Sequence, residues 1–317
     1  MLERYYSFNQ YLKENFGERV HRISIDAGFS CPNLDGKISN EGCIFCNNKA
    51  FSVYAKENIE HKTYNENFRL ENVKEQIIKS IHFYKTKFKI KKFVAYFQSF
   101  SNTYADIETL KRTYDIVKEF PEIVGLSIST RPDCVDIEKL KLISEYKKNP
   151  QLKIVWLEYG LQTTDDKILS ILNRGHTYKD FLTALELTKR FEINVGVHMI
   201  LGLLGQSYDD IIKDAKTISH LPIDGIKFHI LHILKNTKLE QMYNDGKIKL
   251  FSQEEYIKTL CDFIEHLPKN VVILRLISTA NPRYLVAPKW INNKNGIITK
   301  IRQELETRDT FQGKCFK

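Results

Sequence analysis

CPNLDGKISNEGCIFC, residues 31–46, holds three of the chain's 6 cysteines, spaced Cys31-x11-Cys43-x2-Cys46, with no fourth nearby in sequence. Four thiolates would close a tetrahedral zinc or iron site. Three leave one metal position for something that is not protein, which separates catalytic metal sites from structural ones. A Cys3His zinc site matches the CxxC knuckle but finds no neighbouring histidine. Disulfides do not suit a compartment where thiols stay reduced, and unrelated buried thiols do not normally cluster. The favoured reading is a 4Fe–4S cluster with one iron left open. Cys134, Cys261 and Cys315 are scattered without a CxxC pair and read as structural thiols.

The cysteine segment follows a strand. VHRISIDAGF (20–29) runs directly into Cys31, and apolar runs then alternate with amphipathic stretches. Further strands are expected at 91–100, 123–131, 153–162, 193–203 and 225–234. Helices are expected near 71–88, 106–120, 136–146, 165–173, 178–191 and 208–220. Repeated β/α units of this spacing predict a parallel sheet with helices outside. They are too few to close an eight-stranded barrel, which leaves an open, partial barrel or a doubly wound sheet. Residues beyond 235 add helices and one more strand, VVILRLIS (271–278), without a low-complexity linker. The expected division is a core over 1–235 and an α/β extension over 236–317 packed on it. A loop after the first strand lies at the C-terminal mouth of such a sheet. Phe45, inside the CxxC, would shield a cluster there and contact a cofactor.

Strand parity places polar side chains on shared faces, because alternate residues point the same way. Tyr96 goes with Gln98, Ser127 with Ser129 and Arg131, Trp156 with Glu158 and Gln162, and Lys227 with His229. His198 shares its face with Gly196, Ile200 and Gly202. Inward polar groups on so many strands must be hydrogen-bonded or meet a ligand. One reading is a buried network with Glu158 paired to Arg131 or Lys227; the favoured one is a ligand-lined cavity.

Composition excludes little. Of 317 residues, 42% are hydrophobic and 27% charged, ordinary for a globular chain. No apolar run approaches the ~18 residues of a membrane span, and MLERYYSFNQ has no signal-peptide core, so a cytoplasmic location is expected. The charge of +9 concentrates in KTKFKIKK, Lys85 to Lys92. A solvated helix end is the ordinary explanation and an RNA surface the sharper one.

The cysteine triad, with IDAGFSCPNLDG, GCIFCNN, YFQSFSNTY, STRPDC, EYGLQT, NRGHT, HMILGLLGQ, KFHILHILKNT and RDTFQGK, resembles the radical S-adenosylmethionine enzymes. The resemblance is to their YhcC/YtqA-type family, related to the Elongator catalytic subunit and oxygen-independent coproporphyrinogen oxidase. It implies a partial (β/α)6 TIM-like barrel with the C-terminal α/β extension. It also implies Cys31, Cys43 and Cys46 as cluster ligands, with the open iron taking the amino and carboxylate groups of S-adenosylmethionine. Reductive cleavage would then give a 5′-deoxyadenosyl radical. Gln98 and Ser99 align with a segment that is Gly-rich in relatives and contacts the methionine end. Ser129 and Arg131 close the third strand. Gln162 and Arg174 match positions holding ribose and carboxylate, and His198 lies on the strand that flanks adenine. The substrate implied is the wobble-uridine side chain of tRNA, converted from carboxymethylaminomethyl to aminomethyl. A flavodoxin or ferredoxin would donate electrons, with a partner enzyme and no membrane. The same chemistry on a small metabolite or porphyrinogen, and a non-catalytic metal-bound RNA-binding module, are the alternatives. The Elongator subunit's acetyltransferase domain is expected to be missing. Arg275 and Arg283 are loose candidates on the substrate side. Lys300, Arg302 and Arg308 are preferred over Lys85–Lys92 as the RNA surface.

Overall fold

The structure, a computed structural model, describes residues 3–47, 50 and 66–317. Strands β3 (Ile123–Thr130) and β4 (Ile154–Gln162) are buried along their whole length, as parallel strands covered on both faces must be. They sit near the centre of a seven-stranded sheet. Its other members are β1 (Val20–Ile25), β2 (Lys92–Phe97), β5 (Asn194–Leu201), β6 (Gly225–Ile230) and β8 (Val272–Arg275). The order is β1-β2-β3-β4-β5-β6-β8 and every pairing is parallel. A doubly wound sheet reverses its order at a switch point. This one never reverses, so its helices stay on one side and it curls into an open, partial barrel.

The connecting helices are α2 (Glu66–Phe88), α3 (Ile107–Asp115), α4 (Ile137–Glu145), α5 (Asp166–Ile171), α6 (Tyr178–Arg190) and α7 (Tyr208–Ser219). Their starts are written locally. Asp106 and Asp136 accept backbone N–H groups as N-caps, and Thr177 and Ser207 form capping boxes with Asp180 and Asp210. In α7 the buried Ile211, Ala215 and Ile218 recur at helical spacing and face the sheet.

Several expected boundaries move. The strand expected over 20–29 stops at Ile25, and the helix after Asp106 becomes a 3-10 turn over Ile116–Glu119. The apolar run 225–234 is not one strand. It breaks after Ile230, and β7 (Ile233–Leu234) pairs antiparallel with β9 (Leu285–Ala287). Periodicity could not show the break, because both halves are apolar and only long-range pairing tells them apart.

Helix α1 (Phe8–Phe16) closes the N-terminal end of the barrel. Leu12 and Phe16 pack with Val94, Val124, Ile154, Trp156 and Leu274. Phe8 and Tyr11 meet the Trp156 indole edge-on at 6.3 and 5.5 Å. A Cβ on Gly225 would lie 2.9 Å from that indole, so glycine there makes the room. Further along, α8 (Lys238–Asn244) packs beside β7, α9 (Gln253–His266) packs on α7, and α10 (Lys294–Thr307) packs on α9. The chain end then returns to this closed end: Gln312 N–H donates to the Arg4 carbonyl, and Arg4 pairs with Asp309.

That path displaces the RNA surface expected from sequence. Arg308 pairs with Asp262 and Glu304, and the residues following it bond to the segment that leads into α1. Lys85 and Lys92 pair with Glu122 and Glu18. Neither basic group faces the mouth of the barrel. Among the described residues, no helix is long and apolar enough to cross a membrane.

Trp156→Ala removes the largest side chain of the plug. It should lower unfolding free energy by about 3–5 kcal/mol, read as a reduced urea midpoint with an unchanged slope.

Candidate active site

The C-terminal ends of the strands surround a cavity of about 680 Å³. Cys31, Cys43 and Cys46 line it, as do Phe45, Gln98, Ser99, Ser129, Arg131, Gln162, Arg174 and His198. These eleven residues, expected from the sequence to hold cluster or cofactor, thus reach one space. Arg275 lines it too, whereas Arg283 is exposed outside it.

The cysteine loop folds back on itself. Leu34 N–H donates to the Cys31 carbonyl, Gly42 to Asn33 and Cys46 to Cys43, at 2.7 to 2.9 Å. These bonds close the long gap between the first two cysteines. The NRGHT loop after α5 then clamps the result. Asn173 Nδ2 donates to the Gly42 carbonyl at 2.7 Å, and Ile44 N–H donates to Leu172. Fully buried Asn33 donates to the Asn173 carbonyl at 2.5 Å and reaches Cys43 Sγ at 3.5 Å. Arg174 Nη1 lies 3.3 Å from the same sulfur while its Nη2 donates to the Gly160 carbonyl at 2.6 Å. A Cβ on Gly160 would come within 2.6 Å of that nitrogen, so only glycine admits the guanidinium.

This donor set fits an anionic sulfur centre. Burial, then the neighbouring thiols of Cys43 and Cys31, push the Cys46 thiol up to about 12, so the thiols need positive charge to ionise together. Arg174 Nε, Arg131 Nη1 and Asn33 Oδ1 are buried beside them without hydrogen-bond partners in the protein. Among the described residues, no three His, Cys, Asp or Glu side chains converge as they would on a single metal ion. An iron–sulfur cube differs in taking each thiolate on a separate iron.

Gln162 enters by an irregular route. A bulge sets it opposite Met199 while Gly160 faces His198, and its φ is 84°. A side chain in that region is strained, and such strain concentrates at functional sites. Gln162 lines the cavity, as alternation from Glu158 expects, and the bulge and the positive φ fall at its own position.

Below the mouth, one carboxylate gathers the barrel. Glu158 Oε1 accepts from Arg22 at 2.7 Å and Ser127 at 2.6 Å. Its Oε2 bonds His198 Nε2 at 2.8 Å and accepts from Lys227 at 3.0 Å. Lys227 also bonds the Tyr96 hydroxyl. Burial alone would raise Glu158, but Lys227 and Arg22 outweigh it and hold the carboxyl well below its usual range. Burial and Lys227 depress His198 to about 3, so it is neutral. The sequence offered a network or a cavity, and the structure has both, one as the floor of the other. Lys227 is the partner of Glu158, and Arg131 is not: Arg131 forks onto Asp133 at 2.7 and 2.8 Å. Tyr96, Lys227, His229 and His232 also line the cavity. The first three carried an inward-parity signal, and His232 carried none.

A partial parallel barrel with a polar, thiol-bearing mouth and a sealed floor is the architecture of an enzyme built around a bound cofactor. The chain belongs to the radical SAM superfamily, whose family model matches residues 36–218, and the Radical_SAM C-terminal domain matches 223–307. Enzymes of this superfamily use a 4Fe–4S cluster and S-adenosylmethionine. The protein YtqA of Bacillus subtilis is 32% identical across 99% of this chain and 94% of its own length. A tRNA uridine(34) acetyltransferase of Methanocaldococcus infernus is 28% identical over 48% of this chain and 28% of itself. Among solved structures, Elp3 of the same archaeon, with its N-terminus deleted, superposes with a TM-score of 0.61. It is 16% identical and matches over 92% of this chain and 64% of its own.

The buried histidines set an acid limit. Burial comes first in depressing both His198, to about 3, and His176, to about 2, from an ordinary 6.5. Below pH 6.5 the unfolded chain therefore binds protons that the folded chain refuses, and stability falls as pH drops. The slope should approach roughly 1.4 kcal/mol per pH unit for each histidine. Urea unfolding between pH 7.5 and 5.5 measures it, and a flat profile would show that the rings titrate normally when folded.

Proposed function

We propose that Cys31, Cys43 and Cys46 hold the 4Fe–4S cluster at the barrel mouth, and that S-adenosylmethionine occupies the adjoining cavity. The observation carrying this reading is the meeting of three thiols with the Arg174 guanidinium, itself anchored on Gly160. When bound, the pair supplies a one-electron cleavage that yields a 5′-deoxyadenosyl radical for hydrogen abstraction. The protein's part is position and dryness. Arg174 and Asn33 direct N–H groups at the Cys43 sulfur. The unpartnered Arg131 and Arg174 nitrogens suit the cofactor's carboxylate. Phe45 covers the cluster side, Gln98, Ser99, Ser129 and Gln162 offer polar contacts to the methionine and ribose, and neutral His198 stands toward the base. The plug under Glu158 keeps water from entering below. An external flavodoxin or ferredoxin would supply the electron.

The proposed substrate is the side chain of a tRNA wobble uridine, taken from carboxymethylaminomethyl to aminomethyl. Similarity to a protein named for acting on tRNA uridine 34 supports the choice. An anticodon loop is already unpaired, so splaying out one base costs little. Backbone phosphates would then meet the rim. There Arg283 follows Pro282, which lines the cavity, and the backbone of Lys235 bonds Tyr284 and Asn47. Both cationic side chains are exposed.

Anaerobically reconstituted protein should carry about four irons per chain. Each single replacement Cys31→Ala, Cys43→Ala or Cys46→Ala should remove them and the cofactor cleavage, while Cys134→Ala should retain both. Stoichiometric zinc in place of iron would sink the reading.

Lys235→Glu with Arg283→Glu should weaken tRNA binding and shrink its log–log salt slope by about 0.7–0.9 for each phosphate no longer neutralised. Lys300→Glu should change neither. Salt-independent binding would instead favour a small-molecule substrate.

A further inference from the structure

The floor of the cavity holds more positive charge than its carboxylate can answer. Glu158 accepts two donors on Oε1 and two on Oε2, from Arg22, Ser127, His198 and Lys227, and is saturated. Arg275 is the register partner of Lys227 across β6 and β8 and lines the same cavity. Among the described residues, its guanidinium has no hydrogen bond or ion pair. Arginine cannot escape by losing its proton, and a half-buried cation facing a cavity without a counter-charge favours an anion there. Burial outweighs the help from Tyr96 and Glu158 and pulls Arg275 below its ordinary value, the direction expected where an anion is missing.

A second group points the same way. His229 lies two residues beyond Lys227 on the same face of β6 and lines the cavity, with its Nε2 buried and unpartnered. Its ring stands 5.4 Å from that of His198. Burial, with His198 and Arg275 beside it, keeps His229 neutral. A neutral imidazole can donate one N–H, and a guanidinium can donate two in parallel. Together they complement a monoanion with two acceptor oxygens. A dianionic phosphate would call for more charge than is free here, and the backbone phosphates of a polymer are placed at the rim. The guanidiniums beside the thiols, Arg131 and Arg174, belong to the cofactor end, whereas Arg275 belongs to the floor with Tyr96 and Lys227.

We propose that Arg275, with His229 beside it, is the acceptor for a carboxylate carried on the reacting group of the substrate. The identity of that group rests on the function proposed above, in which a carboxymethylaminomethyl side chain brings one carboxylate. The acceptor itself rests only on the unpaired groups. A forked guanidinium–carboxylate contact fixes orientation as well as distance, so Arg275 positions the substrate. Lysine keeps the charge but not the fork.

The test uses cluster-loaded protein with S-adenosylmethionine and two anticodon stem-loops that differ only at the wobble uridine, carboxymethylaminomethyl against aminomethyl. Wild type should prefer the carboxylate-bearing loop by roughly 10-fold or more. Arg275→Met should erase the preference and Arg275→Lys restore part of it, with iron content and S-adenosylmethionine affinity unchanged in both. In parallel, ligand-observed NMR should show sarcosine binding to wild type and not to Arg275→Met, with methylamine binding to neither. Sarcosine binding that depends on Arg275, with neither stem-loop bound, would keep the acceptor and remove the tRNA. A preference or sarcosine binding that survives Arg275→Met overturns the acceptor. So does a wild type indifferent to the carboxylate in both assays, or a loss of cofactor affinity in the variants.

Discussion

One buried carboxylate organises this barrel. Glu158 on β4 takes bonds from Arg22 on β1, Ser127 on β3, His198 on β5 and Lys227 on β6, and Lys227 passes the connection to Tyr96 on β2. Burying such an ionic cluster is weak evidence of stability, since a well-packed apolar layer often does as well. What the cluster does supply is a fixed polar floor. Removing the carboxylate would strand Arg22 and Lys227, so strand register and curl are tied to it. Gly196 opposite leaves the space, for a Cβ there would lie 3.0 Å from Glu158 Cγ.

The cluster also divides the interior. Below it, Trp156, Leu12 and Phe16 make an apolar plug. Above it, thiols, guanidiniums and amides surround open space. A parallel barrel has this polarity built in, because its loops at the C-terminal ends are free to vary while the opposite end is needed for closure. Positive φ recurs at the mouth, at Phe100, Gln162 and Asn173. In each case a side chain is turned where regular strand or helix geometry would not send it.

The cysteine loop illustrates how local and distant sequence cooperate. Its own backbone bonds fold the gap between Cys31 and Cys43, but its place beside β4 comes from residues 172–174, over 120 positions away. Asn173 has no chemistry of its own there; with Asn33 it holds the ligand loop and the guanidinium in one piece.

The order of β/α units, the inward parity of Tyr96, Ser129, Glu158 and Lys227, and the cysteine triad were all legible in the sequence. Each is a local pattern, set by the two-residue period of a strand or by ligand spacing within a loop. Tertiary structure alone decided that Lys227 rather than Arg131 answers Glu158, and that a bulge falls at Gln162. It also split the run 225–234 into β6 and β7, and carried Arg308 to the closed end. These outcomes depend on which distant segments meet once the chain closes its loops. Periodicity records which way a side chain points, and it holds no record of what stands opposite.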